Sequence, residues 1–134
     1  MSTLKVNNIQ TASGGSNSTP EQIEQGRAKV WASIDGTGTP SLNDSFNCTS
    51  VADNGTGDFT LGFSISMANT NYCAVGMSEN WEGTNNDSYT AISEMKGVRA
   101  VNTLRFRCLR LRFDQHPPQF QDSAHMGIAI FGDV

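Results

Sequence analysis

Charge is scarce in this chain. Asp, Glu, Lys and Arg make up only 16% of its 134 residues and the net charge is −4, against about 25% charged residues in an ordinary soluble domain. With a sequence pI near 4.9, the chain lacks the basic surface needed to displace counterions from a phosphate backbone, which argues against nucleic-acid binding. Long apolar runs are missing too. Nothing approaches the roughly 20 residues of a membrane-crossing helix, and the opening Met1-Ser2-Thr3-Leu4-Lys5-Val6 lacks the charged-then-apolar profile of a secretory signal. No membrane insertion is expected. Cys48, Cys73 and Cys108 stand singly, with no C-x-x-C pair, so neither a disulfide framework nor a zinc site is indicated. Three buried free thiols are the expectation.

Groups that carry catalysis are equally thin. His116 and His125 flank Pro117-Pro118 nine residues apart, without the close His, Cys or Glu spacing of a metal site. No G-x-S-x-G elbow occurs, and the cysteines lie in expected strands rather than at helix N-termini, where a thiolate is stabilised. Asp53, Asp58, Glu79, Glu82 and Asp87 cluster in turn-like stretches and read as solvated turn acids. The register of a calcium loop fails at Asp53-Asn54-Gly55-Thr56-Gly57-Asp58. The chain is expected to be no enzyme and to take no cofactor and no metal.

Uncharged polar residues and glycine are plentiful: 14 Ser, 12 Thr, 12 Asn and 13 Gly, or 51 of 134 residues. That mixture disfavours helices, because the short polar side chains compete for backbone hydrogen bonds and Gly raises the entropy cost. It suits short strands joined by tight turns.

Residues 1–26 differ from the rest. Leu4 and Val6 alternate, with Ile9 out of phase, in a short extended segment. A polar linker, Thr11 to Thr19, leads to a helix start in which Ser18 caps, Pro20 lies in the first turn and Glu21 completes a capping box. Gly26 ends that helix. This region reads as an arm.

From residue 27 to 134 the pattern is strand and turn. Val30, Ala32 and Ile34 alternate with Trp31 and Ser33, and Phe46 to Val51 forms a further stretch. Asn54-Gly55 ahead of the alternating Phe59, Leu61, Phe63 and Ile65 is a strong hairpin signal. Strands are expected at Tyr72–Ser78, Tyr89–Met95, Asn102–Phe113 and Met126–Phe131, with residues 79–88 an exposed loop. In the strand ending at Phe113 the apolar phase slips between Cys108 and Leu109. A β-bulge there puts Arg105, Arg107, Arg110 and Arg112 on one face; without it they split between two. The fold class expected is all-β: an antiparallel β-sandwich or jelly-roll-like domain with an extended N-terminal arm.

The four arginines form the one concentration of charge. They read as an anion-binding strip, as a solvent face, or as a subunit interface. Trp81, Asn85, Asn86 and Tyr89, in and beside the polar loop, are candidates for contact with a glycan, as in a carbohydrate-binding module recognising host cell-surface polysaccharide.

Several motifs resemble one family. Ser2-Thr3-Leu4-Lys5-Val6-Asn7-Asn8-Ile9-Gln10, then Thr19-Pro20-Glu21-Gln22-Ile23-Glu24-Gln25-Gly26-Arg27-Ala28-Lys29-Val30-Trp31, then Asp44-Ser45-Phe46-Asn47 and Asp53-Asn54-Gly55-Thr56-Gly57-Asp58-Phe59-Thr60-Leu61 follow the order seen in tail-fibre and other virion structural proteins of cyanobacterial and marine bacteriophages. The resemblance spans roughly residues 2–78. It implies a virion structural role, a homotrimer, partners among other tail or capsid proteins, and docking through Leu4, Val6 and Ile9. The family's long shaft is missing here, which leaves open a short tail fibre or tip on one hand and a capsid knob or decoration on the other.

Overall fold

The computed structural model describes residues 2–15, 17–79, 88–95, 97–112 and 115–134, and of residues 88–89 and 115–116 the backbone alone. The fold is all-β with antiparallel sheets and one short helix. The elements in chain order are β1 (Ile9–Gln10), β2 (Asn17–Ser18), α1 (Pro20–Gly26), β3 (Val30–Asp35), β4 (Ser41–Phe46), β5 (Cys48–Gly55), β6 (Asp58–Phe63), β7 (Cys73–Ser78), β8 (Ser88–Glu94), β9 (Thr103–Arg112), β10 (Gln115–Phe120) and β11 (Met126–Phe131).

Period-2 alternation builds the core. Val30, Ala32 and Ile34 of β3 and Met126, Ile128 and Ile130 of β11 are buried on one face of a sheet ordered β4-β3-β11-β7. They meet Phe59, Leu61 and Phe63 of β6 and Leu104, Phe106 and Cys108 of β9 from a second sheet ordered β5-β6-β9-β8. The two sheets thus form a sandwich-like pair around one core. Strand β10 shares an edge of β9 with β6: β6 pairs with Thr103 to Arg107, and β10 takes over from Leu109 to Arg112.

Gly57 makes that change of partner sterically feasible. Its φ is +63°, and a Cβ there would lie 2.6 Å from both the Cys108 carbonyl oxygen and the Gln121 nitrogen. The central pair of the β5–β6 hairpin is therefore Thr56-Gly57, with Gly55 opposite Asp58, two residues beyond the Asn54-Gly55 turn that the sequence suggests. Asp53 Oδ1 accepts from the Gly55 N–H at 2.8 Å, which holds Gly55 at the end of its strand.

Two strands carry no usable alternation. In β4, which pairs with β3 alone, only Leu42 packs toward the core; its Ser, Asn and Asp are poor strand formers recruited by pairing with β3. In β10 the register shift between Gln115 and Gln119 brackets Pro117-Pro118, which is how an edge strand accommodates residues without an N–H.

The helix cap also differs by one residue. Thr19, not Ser18, accepts from the Gln22 N–H at 3.2 Å, and Gln22 Oε1, not Glu21, accepts from the Thr19 N–H at 3.0 Å. Pro20 is preset for the first helical position, so the cap is the residue before it.

The ladder between β8 and β9 runs unbroken from Glu94–Phe106 to Ser88–Arg112. The β9 pleat therefore continues through Cys108 without a bulge. Arg105 and Arg107 share the outer face with Leu109 and Leu111, whereas Arg110 and Arg112 continue the face of Leu104, Phe106 and Cys108 past the end of the core. Of the three thiols only Cys108 is buried; Cys48 is half-buried and Cys73 is exposed, because Cys73 has the outward phase of β7.

Candidate functional site

The β5–β6 hairpin delivers Asp58 to the outer face of β9. Asp58 pairs directly with Arg107 and lies diagonal to Arg105, the two cross-strand positions within side-chain reach. Arg105 donates through Nε to Oδ1 at 2.8 Å and through Nη2 to Oδ2 at 3.0 Å, and Arg107 Nε donates to Oδ2 at 3.1 Å. Asn54 Nδ2 donates to Asp58 Oδ1 at 3.4 Å and to Thr60 Oγ1 at 2.9 Å. The Arg105 hydrogen bonds, with those of Arg107, hold the Asp58 carboxyl below the usual carboxylate range against the opposing effect of burial. The Arg107 guanidinium also stacks 4.7 Å from the Phe120 ring centroid. Two of the four arginines thus share one carboxylate within the chain, which leaves the cluster a net charge of +1, on a face that Arg110 and Arg112 do not share.

The N-terminal region presents a different surface. Leu4 is 86% exposed, Val6, Ile9 and Ile23 are exposed as well, and α1 buries no residue. Leu4, Val6, Ile9, Pro20 and Ile23 line a groove of about 500 Å³. Lys29 ties this region to the sheets. It is 3% exposed, and its Nζ donates to Glu24 Oε1 at 2.5 Å and to the Glu24 carbonyl near the end of α1. The Lys29 hydrogen bond is the main cause holding the Glu24 carboxyl below its ordinary range. The Lys29 backbone is fixed in turn by its N–H to the Ile130 carbonyl at 2.8 Å and by Asn47 Nδ2 on its carbonyl at 2.7 Å.

Trp81, Asn85 and Asn86 lie outside the described residues, and Tyr89 is placed by its backbone alone, opposite Leu111. At the base of that loop His125 Nδ1 and Glu79 Oε2 stand 2.8 Å apart. Among the described residues no three His, Cys, Asp or Glu side chains gather where they could hold a metal ion, and no helix is long and apolar enough to cross a membrane.

Sequence reasoning missed three features: the Asp58 partner of the arginines, the Lys29–Glu24 tie, and the outward position of the large side chains in β7. In Cys73-Ala74-Val75-Gly76-Met77-Ser78 the thiol expected to be buried lies outward with Val75 and Met77, and Ala74, Gly76 and Ser78 face inward opposite Ile130, Ile128 and Met126. The reason is local space. A Cβ on Gly76 would stand 3.1 Å from Ile92 Cγ2, so the inner side of β7 has room only for small residues.

No protein-family model, curated protein or solved structure matches the chain.

Proposed function

We propose that this chain is a non-enzymatic bacteriophage virion structural protein, located on the particle surface as a homotrimeric tail-fibre or tip-like part or as a capsid knob or decoration. Residues 1–26 act as its arm and dock on other virion proteins through Leu4, Val6 and Ile9. Residues 27–134 form the outward domain, of sandwich or jelly-roll type, available for contact with the host surface.

The observation that supports this reading best is the state of the N-terminal region. A hairpin of two-residue strands and a seven-residue helix are too short to be stable alone, and the apolar side chains of Leu4, Val6, Ile9 and Ile23 stay exposed. A surface of that kind is completed by something it binds. The motif order of residues 2–61, which resembles that of bacteriophage virion structural proteins, is what supports a virion as the larger assembly.

The test is the position of the protein on purified particles. Gold-labelled antibody should mark a fixed site on tail or capsid, and combined Leu4→Lys, Val6→Lys and Ile9→Lys substitution should leave the chain soluble in the lysate but missing from particles. Wild-type chain that is abundant in infected cells and absent from purified particles would overturn the reading.

A further inference from the structure

Arg105 and Arg107 bring one guanidinium more than Asp58 needs. A single bidentate arginine satisfies a carboxylate, and Arg105 already does so through Nε and Nη2. Arg107 adds one bond, Nε to Oδ2 at 3.1 Å, and a pair whose arginine is 35% exposed stabilises little. Among the described residues the Nη1 and Nη2 groups of Arg107, and Nη1 of Arg105, have no hydrogen-bond partner. Both side chains are fixed all the same, Arg105 by its two bonds and Arg107 by Asp58 and by stacking on Phe120. Stacking occupies the face of a guanidinium and leaves its in-plane N–H groups to a planar partner. The entropy of ordering these long side chains is already lost in the folded chain, so a ligand need not supply it.

The surroundings suit an anion with an apolar side. In the outward phase of β6, β8 and β9 the charged residues are Asp58, Arg105 and Arg107, a net charge of +1 on a chain whose total is −4. Beside them the Phe120–Leu109 pair offers apolar surface, with Phe120 44% exposed. On the β5–β6 side, Asn54 and Thr60 bond each other at 2.9 Å and add neutral polar groups. Flanking residues are short: Ser93 opposite Arg107, Ala91 opposite Leu109 and Ala52 opposite Thr60. The strip is therefore open and shallow, suited to a polymer chain rather than to an enclosed small molecule. It is centred on β9, which is paired along both edges, so an extended peptide finds no free strand edge there to add to.

We propose that this strip binds an acidic polysaccharide. The carboxylate of a uronic acid unit meets the Nη groups of Arg107 and Arg105, the C–H face of its ring rests on Phe120 and Leu109, and Thr60 and Asn54 meet its hydroxyls. The inference rests on the host-contact part of the function above and deepens it by naming what is contacted. A polyanion is drawn to this strip and repelled by the acidic remainder of the surface, which directs where it binds.

The experiment is a ¹H–¹⁵N chemical-shift titration of the full chain with tetragalacturonate, with its neutral methyl ester and with tetraglutamate. Tetragalacturonate is expected to bind with a Kd of about 1 mM, as a single open site does, and to move the amides of residues 105–109 and 120. The methyl ester should bind at least about tenfold more weakly, and raising salt from about 20 to about 300 mM should weaken the uronate several-fold. Arg107→Lys keeps the charge but loses the fork; Ser93→Asp sets a carboxylate of the chain itself opposite Arg107 and removes no native partner of the arginines. Each should weaken binding about tenfold or more, with Ser93→Asp as stable as the wild type. Phe120→Ala should weaken tetragalacturonate about fivefold and leave the weaker binding of tetraglutamate unchanged. No shifts at about 20 mM tetragalacturonate, equal binding of the methyl ester, or binding that survives Ser93→Asp overturns the site. Tetraglutamate bound as tightly as the uronate, with or without Phe120, overturns the polysaccharide in favour of an acidic protein partner. The position of the chain on particles is measured separately, so failure here is distinguishable from failure of the virion reading.

Discussion

Gly57 and Gly38 offer a matched pair for measuring the steric constraint at the change of partner on β9. Their φ angles are +63° and +62°, so alanine meets the same left-handed backbone penalty at both, about 1 kcal/mol. Around Gly38 nothing lies within 4 Å of an added Cβ, whereas at Gly57 the Cβ would stand 2.6 Å from Cys108 O, 2.6 Å from Gln121 N and 3.0 Å from Gln121 O. These are backbone atoms of two hydrogen-bonded strands and cannot swing aside like a side-chain tip. Relieving the contact disturbs the Cys108 N–H to Gly57 carbonyl bond at 2.8 Å and the Gln121 N–H to Cys108 carbonyl bond at 3.1 Å, each contributing about 1 kcal/mol. Gly57→Ala should therefore lose about 3 kcal/mol and Gly38→Ala about 1 kcal/mol, or Tm decreases of about 12 °C and 4 °C for a chain of this size. Urea denaturation and thermal melting at one fixed protein concentration check this, since an associating protein melts in a concentration-dependent way. Equal losses at the two positions, or a difference under about 1 kcal/mol, would refute the account of how β10 takes over from β6.

Asp58→Asn removes the charge that Arg105 and Arg107 share and should lower stability at neutral pH by about 1–2 kcal/mol, a value kept small because both arginines are about a third exposed. Because the folded carboxyl is held below its unfolded value of about 3.9, its contribution is complete above that pH and lost as pH falls through the folded value. The wild-type chain should therefore lose stability in that acidic window more steeply than the variant, by at most one proton's worth of slope in a urea titration. Lys29→Met should free α1 without weakening the sheets, since an apolar side chain suits that buried position; faster tryptic cleavage after Arg27 at an unchanged global Tm is the expected result. Thr19→Ala removes the cap and should cost α1 about 1 kcal/mol, read as a several-fold rise in amide exchange over residues 20–26 with no change in the sheets.

The legibility of this fold follows from where a strand's two faces differ. In β3, β6 and β11 one phase is large and apolar and fills the core, so alternation alone places Val30, Phe59 and Ile128. In β9 the alternation breaks at Cys108, and the sequence leaves two outcomes because a bulge and a change of surroundings produce the same pattern. The unbroken β8 ladder shows that the surroundings change: past Cys108 the inward side leaves the core, and arginine takes the place of leucine. In β7 the expected burial of Cys73 fails, because the available space on the inner side is set by Ile92 on another strand. Asp58 could not be linked to Arg105 from spacing, since 47 residues separate them and only the common register on β6 and β9 brings them together. The helix was visible because its signal is local, and Pro20 fixes the cap to within one residue.

The scarcity of charge acquires a spatial meaning from these contacts. Arg105 and Arg107 are joined to Asp58, Arg99 grips Glu94 while stacking on Tyr72, and Lys29 and Arg27 both meet Glu24. Four cations, Lys29, Arg99, Arg105 and Arg107, thus fasten one element to another: hairpin to β9, the β8–β9 turn to the start of β7, helix to sheet. None of these ties lies on the outer face of β4-β3-β11-β7, where exposed Trp31, Phe46, Val75 and Met77 would be unfavourable in a lone soluble domain. Low charge overall is matched by a high content of Ser, Thr and Asn, so the total alone says nothing of direction. The outer face of the other sheet also carries apolar side chains, Leu109 and Leu111, but sets them beside Asp58, Arg105 and Arg107, so the two faces differ in where the chain's few charges are spent rather than in apolar content alone.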